Sequence, residues 1–325
     1  MASFGMDEVE DLFDPIAVPG ELGPELTDIL PHGYLSVSAA KMFLKCPRSW
    51  QLKYLEGKPQ VTPGRLFQGV TVHKAVERVL EAKLQTGVLP PVELATDTFA
   101  TEFEANKGRV GDWEGETEER VKDTGIECAR LYWREAAPAA TPVAVEKAFA
   151  TVIRTADGKV RLPVLGRIDS VQVQVRSEAE YQGIRAKVVA DTEKVATPKK
   201  GKADRATELP RVSRPLRIHD LKVVTDKWGE GDIKSDLQFM LYAGAEGVPD
   251  VQVDQLVKGR AKVPRLRYEA LAEVLTDAEV QHGVAVLEGV ALSIASGRFP
   301  MTDPSNWWCS AGFCGVWRFC SRSRS

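Results

Sequence analysis

No uninterrupted apolar run in this sequence reaches the roughly 18 residues that a helical bilayer crossing requires. The opening residues, MASFGMDEVEDLFD, have neither the basic start nor the apolar stretch of a secretory signal. A cytoplasmic protein with no membrane partner is therefore expected. There is no G-x-x-x-x-G-K-[ST] phosphate loop, which excludes a built-in helicase motor, and no internal repeat. Histidine is scarce, with 4 residues, and residues 1–30 contain no Lys or Arg. The five cysteines, Cys46, Cys128, Cys309, Cys314 and Cys320, are odd in number and unevenly placed, which argues against a disulfide framework.

What is present suits a folded chain. Its 325 residues are 43% hydrophobic and 27% charged, which excludes a mainly disordered polypeptide and allows one large domain or two ordinary ones. The formal net charge of -3 hides a segregation. Residues 1–30 hold eight carboxylates, whereas residues 183–222 hold eleven Lys and Arg against five carboxylates. A polyanion meets the local field, so a mildly acidic chain can still bind phosphate on one basic face. A solvated surface with an acidic tail accounts for the same charges.

The expected organisation starts with an acidic, proline-containing arm over residues 1–33. A short helix follows over Leu35–Cys46, begun by Ser36 or Ser38 and closed before Pro47. A longer helix over about 66–85 carries His73 and Glu77 four apart on one face. Residues 93–136 read as helical. The hydrophobic period then changes to that of strands at about 143–152, 160–175 and 216–225. The basic interval between the last two reads as a long hairpin tip or surface insertion. Helix is expected over 233–245, strands near 251–257 and 266–271, and a last helix from a Thr276/Glu279 capping box toward Ser296.

Asp220 and Lys222 stand two apart in the apolar strand IHDLKVV, so alternation puts both on one face. Burying them is costly unless they pair or meet a metal. Asp169, in GRIDSV, can meet Asp220 from the neighbouring strand, and a hard cation such as Mg2+ or Mn2+ relieves the repulsion between two convergent carboxylates. His73 can add an imidazole ligand, with Glu77 behind it or in an ion pair. Taken singly, each of these residues also fits an ordinary structural role. Gln238 and Tyr242, four apart on a helix, can fix a phosphate or order water, and an amphipathic helix explains them equally well. His32, His219 and His282 read as non-catalytic, His219 pointing away from Asp220.

Cys309, Cys314 and Cys320 form C-x4-C-x5-C, with Cys46 far upstream. Four thiolates suit zinc or an iron-sulfur cluster, and the wide spacings lean toward the latter. Buried apolar cysteines are the alternative, which fits Cys128 best.

The ordered set CPRSWQLKY, GVTVHKAVE, GRIDSV, IHDLKV, DLQFMLYA and three clustered cysteines resembles the RecB-like branch of the PD-(D/E)xK nuclease superfamily. It is most similar to the four-cysteine group, which includes CRISPR-associated RecB-like exonucleases and the nuclease domains of AddAB-type helicase-nucleases. The resemblance spans about residues 34–320. It implies His73, Asp169 and Asp220 as metal ligands, Lys222 as the catalytic lysine, and Gln238 and Tyr242 as the pair behind the active site. Glu146 falls where such proteins often have a strand glutamate. Cys46, Cys309, Cys314 and Cys320 would carry a [4Fe-4S] cluster, shielded by Trp307, Trp308, Phe313, Trp317 and Phe319.

Two features depart from the pattern. The first cysteine gap is C-x4-C instead of C-x2-C, and 50 residues separate Asp169 from Asp220 where a tight hairpin is usual. Loop length itself costs little.

The resemblance implies an α/β fold with a mixed central sheet flanked by helices, and a cysteine-ligated cluster tying the N- and C-terminal parts together. One nuclease domain would cover 34–325, with a helical part 34–140, a catalytic core 141–298 containing a basic insertion at about 176–213, and a cysteine-rich segment 299–325. The implied activity is a Mg2+- or Mn2+-dependent deoxyribonuclease, an exonuclease leaving 5'-phosphates, in recombination, repair or phage DNA processing. Its partners would be DNA, single-stranded or with accessible ends, and recombination or DNA-processing proteins. The rival expectation is a DNA-binding or assembly protein that keeps the fold without cleaving.

Overall fold

The computed structural model describes residues 29–30, 32–154, 160–195, 209–210, 212–259 and 266–321. Two compact units emerge from the chain path. The first takes residues up to Thr62, Phe149–Gly166 and Asp277 onward; the second takes Pro63–Ala148 and Arg167–Thr276. The strands of the main sheet in chain order are β1 (Leu35–Ser36), β2 (Pro142–Arg154), β3 (Arg161–Val173), β4 (Leu216–Val224), β5 (Asp250–Val257) and β6 (Arg267–Val274). The main helices are α1 (Val37–Lys45), α2 (Gly64–Thr86), α3 (Val92–Asn106), α4 (Glu118–Glu135), α5 (Glu178–Val195), α6 (Leu237–Glu246) and α7 (Asp277–Ala295).

The sheet is mixed, as expected. In the second unit β3 runs antiparallel to β4 from Ser170↔His219 to Val173↔Leu216. β4 runs parallel to β5 from Ile218↔Val251 to Val224↔Val257, and β5 runs antiparallel to β6. The antiparallel β3/β4 ladder keeps the two ends of the long interval adjacent, so that interval leaves strand pairing intact.

The interval itself is more structured than a hairpin tip. It contains α5, whose Tyr181 is fully buried and donates its hydroxyl to the Pro142 carbonyl at 3.2 Å. Arg185 donates to the carbonyls of Leu84 and Gln85, and Gln182 donates to the Gly87 carbonyl at 2.6 Å. These donors satisfy carbonyls that the end of α2 leaves without intrahelical partners. Gly87 itself takes the left-handed conformation (φ 76°) that ends α2. The Lys199, Lys200 and Lys202 segment lies outside the described residues, as does the arm over 1–28.

The span 93–136, expected to be helical, holds the two helices α3 and α4, separated by a 3-10 turn at Lys107–Arg109 and a short strand at Val110–Asp112. With α2 they bury Phe67, Phe99, Phe103, Val79 and Leu131 in a core that also takes Leu221 of β4 and Leu256 of β5. Close approach of α3 and α4 depends on Gly125, because a Cβ there would overlap the Phe99 ring.

In the first unit, Ser36 caps α1 by accepting from the Ala39 N–H at 3.1 Å. β1 pairs parallel with Val164 and Leu165 of β3. Trp50 stacks on Phe299, with centroids 5.7 Å apart and planes 15° apart, and meets the edge of Phe43.

Candidate active site

The β3/β4 ladder stops one residue short of Asp169 and Asp220, and a side chain takes over from the backbone there. Asp169 Oδ2 accepts the Leu221 N–H at 2.8 Å. The same oxygen lies 3.2 Å from His73 Nδ1 on α2. Alternation on β4 puts Asp220 and Lys222 on one face, where Lys222 Nζ sits 2.6 Å from Asp220 Oδ2. That ammonium is off the hydrogen-bonding direction, so Asp220 Oδ2 is a buried oxygen without an aligned donor among the described residues.

Helix α6 completes the arrangement. Asp236 caps it by accepting from the Gln238 N–H at 2.8 Å. Gln238 Nε2 donates to Asp220 Oδ1 at 2.7 Å and to the Tyr242 hydroxyl at 2.9 Å. Tyr242 donates to the Arg167 carbonyl at 2.6 Å, and Lys222 reaches Gln238 Oε1 at 3.3 Å. Both amide ends of Gln238 are thereby engaged. Through these bonds the pair holds Asp220 and Lys222 in place.

The charges are strongly coupled. Burial pushes the Asp220 carboxyl up to about 6, opposed by Lys222 and reinforced by Asp169. Asp169 is also penalised by burial, yet His73, Lys222 and the Leu221 N–H hold it below the ordinary carboxylate range. Burial works against the charged forms of His73 and Lys222, but the facing carboxylates raise both. Glu146 stands close by. Burial, then the charges of Asp169 and Glu77, push it up to about 7, while Arg167 donates to it at 3.2 Å. Its φ of 49° is unusual for a non-glycine strand residue. Glu77 is occupied by Lys74 at 2.7 Å.

His73, Asp169, Asp220, Lys222, Gln238 and Tyr242 are thus brought into one connected network. Among the described residues no three His, Cys, Asp or Glu side chains are gathered as a ready metal cage. Each carboxylate has a basic side chain of the chain itself beside it, His73 at Asp169 and Lys222 at Asp220. Two acids on adjacent strands, one with an oxygen lacking an aligned donor, are nonetheless the hard oxygen donors that Mg2+ or Mn2+ takes.

The four cysteines likewise form no closed cage among the described residues. Cys46 closes α1, its N–H donating to Met42. Cys309, Cys314 and Cys320 each end a turn through N–H bonds to Asn306, Ser310 and Trp317. Turn hydrogen bonds hold the backbone at each of the three. The four do share a neighbourhood, since burial and then the charges of Cys46, Cys320 and Cys309 raise the Cys314 thiol. The expected aromatic shield is also incomplete, with Trp307 64% and Phe313 47% exposed. Cys128 is fully buried in the α4 core, where burial pushes its thiol up to about 12.

A buried polar cluster escaped the sequence reading. His219 points away from Asp220, as alternation demands, and its Nδ1 lies 3.0 Å from Asp254 Oδ2. Tyr268 and Gln252 donate to the other Asp254 oxygen at 2.7 and 2.8 Å. A carboxylate inside the apolar strand VQVDQLV was the available signal.

The chain's match to a family model for the PD-(D/E)XK nuclease superfamily covers residues 34–321. No curated protein matches it in sequence. Among solved structures it is similar to "SSO0001", at 12% identity and a TM-score of 0.37 over 89% of this chain and 86% of that one. It is also similar to a "Putative exonuclease" from Eubacterium rectale, at 15% identity and a TM-score of 0.42 over 85% and 86%. Superfamily members generally use Mg2+ or Mn2+. With the mixed sheet and helical flanks in place and the family pattern running through nearly all of the chain, the protein belongs to the PD-(D/E)XK nuclease superfamily.

Proposed function

We propose that this protein is a Mg2+- or Mn2+-dependent deoxyribonuclease, acting as an exonuclease that leaves 5'-phosphates, in DNA recombination, repair or phage DNA processing in the cytoplasm. The observation that carries the reading is the convergence of Asp169, Asp220 and Lys222 from two adjacent strands, backed by Gln238 and Tyr242. His73, Asp169 and Asp220 would hold the cation. When bound, it supplies Lewis acidity, acidifying water and neutralising charge that grows on the phosphoryl oxygens.

The chain's own residues do the rest. Lys222 is kept protonated by Asp220 and Asp169, so it serves as a fixed positive charge that orients the attacking water and the scissile phosphate. Gln238 holds the Asp220 carboxylate in one orientation through its Oδ1. Tyr242 fixes Gln238 against the backbone of β3.

We also assign Cys46, Cys309, Cys314 and Cys320 to a [4Fe-4S] cluster, supported by their common neighbourhood around the Cys314 thiol, which the other three help to raise. Anaerobic protein should then be brown and contain about four iron and four sulfide per chain. A zinc ion, or folded metal-free protein, would remove that assignment.

The activity is tested with end-labelled single- and double-stranded DNA, with and without Mg2+ or Mn2+. Progressive, metal-dependent shortening to products that ligase accepts at the 5' end is expected. Folded protein that binds DNA and cleaves nothing with either metal would leave a DNA-binding or assembly protein in its place.

A further inference from the structure

Folding explains most large apolar side chains of the first unit but not two rings after Met301. Trp307 is 64% exposed and Phe313 47%. They meet edge to face, centroids 4.7 Å apart and planes at 87°, and Trp308 stands against Trp307 at 5.7 Å and 81°. The group is fixed in place. Trp308 Nε1 donates to the Lys45 carbonyl at 3.2 Å, which ties it to the end of α1. The Lys45 ammonium lies 5.5 Å from the Trp307 ring and 5.9 Å from the Trp308 ring. A second such pairing follows, with Lys58 and Arg318 placed 5.8 and 4.7 Å from the Phe319 ring.

The surrounding charge is one-sided. Residues 41–58 and 298–321 together hold seven Lys and Arg against two carboxylates, in a chain whose net charge is -3. An exposed apolar partner surface would not call for cations beside Trp307, Trp308 and Phe319. A polyanion with flat apolar faces would, and a single-stranded nucleic acid is one: its phosphates answer the lysines and its unpaired bases stack on exposed rings. A duplex offers the phosphates but keeps its base faces covered.

We propose that Trp307 and Phe313, with Lys45, form a stacking platform that holds the bases of single-stranded DNA. The assignment deepens the nuclease reading and rests on it for the identity of the nucleic acid as DNA. Trp307 supplies the main face, Phe313 and Trp308 keep it upright, and Lys45 neutralises an adjacent phosphate. Binding of this kind tolerates any base sequence, since every base has a π face.

The test measures binding of a fluorescent oligo(dT) and of a blunt duplex by anisotropy in EDTA, so that cleavage plays no part. Trp307→Ala should weaken oligo(dT) binding about tenfold or more, with Phe313→Ala adding to the loss. Trp307→Tyr should restore most of it, and duplex affinity should change less than about twofold. Lys45→Ala should lower the slope of log affinity against log salt by about one phosphate. Undiminished oligo(dT) binding by folded Trp307→Ala protein would overturn the platform. So would an equal loss for single strand and duplex, or a Trp307-dependent self-association in sedimentation with oligo(dT) affinity unchanged. A wild-type protein that cleaves nothing, yet binds oligo(dT) through Trp307, would sink the nuclease reading alone.

Discussion

The candidate active-site network of the second unit and the cysteine-bearing segment of the first are held together by different means. Around Asp220 the bonds that join one element to another run from side chains across long sequence distances: Gln238 to Asp220, Tyr242 to Arg167, Asp169 to Leu221. These residues sit on regular strands and a capped helix. Around Cys309, Cys314 and Cys320 the bonds are mostly three- and four-residue turns, with links to α1 and its C-terminal flank from Trp308 to Lys45 and from Arg48 to Pro300. The first region is positioned by the fold itself. The second is positioned by local turns and aromatic contact, which is where bound thiol ligands would add most order.

The largest expected effect tests how firmly the site-bearing unit is held. Lys147 and Glu246 form an ion pair at 2.6 Å with side chains only 6% and 8% exposed. Lys147→Ala leaves a buried carboxylate uncompensated and should cost about 3–5 kcal/mol in urea unfolding. A loss below about 1 kcal/mol would mean that the pair is open to solvent. The matching test in the first unit is Phe299→Ala, which removes the ring stacked on Trp50. It should cost about 2 kcal/mol, less than a fully buried ring, and speed proteolysis after residue 297. Equal protease resistance of variant and wild type would show that the turns suffice without the aromatic stack.

Tyr242→Phe sharpens the role of side-chain order within the site. It removes the donor to Arg167 and frees Gln238 to swing, so kcat should fall about tenfold while KM stays close to wild type. A rise in KM alone would give Tyr242 a direct contact with DNA.

The smallest effect concerns acid. Asp254 is penalised by burial, but bonds from His219, Tyr268 and Gln252 hold its pKa below 3.8. Its contribution to stability is fully present above 3.8 and is lost as pH falls through the lower folded-state value. Asp254→Asn should therefore flatten the acid limb of the stability curve; an unaltered limb would assign it to other carboxylates.

These contrasts also mark what was legible in the sequence. Asp220 and Lys222 could be read from strand alternation alone, because a charged pair inside IHDLKVV has one geometric solution. His73 was legible only as a candidate, since helix spacing pairs it with Glu77, whereas its partner in space is Asp169, almost one hundred residues away. Helix α5 was obscured by composition. Tyr181 and Val188 are seven apart and buried, yet the charged residues between them read as surface. Asp254 was missed because a single carboxylate in an apolar strand carries no sign of its partners. The aromatic residues near the cysteines were read as a shield, and their exposure depends on turn geometry that no period encodes.

The central claim is most directly tested by single-turnover cleavage of end-labelled DNA in Mn2+ by wild type, Asp220→Asn and Lys222→Ala, alongside DNA affinity in EDTA. The account predicts that both variants remain folded, keep affinity within about threefold and lose roughly 100-fold or more in cleavage rate. Cleavage at the wild-type rate by both folded variants would contradict it and place the chemistry elsewhere in the chain.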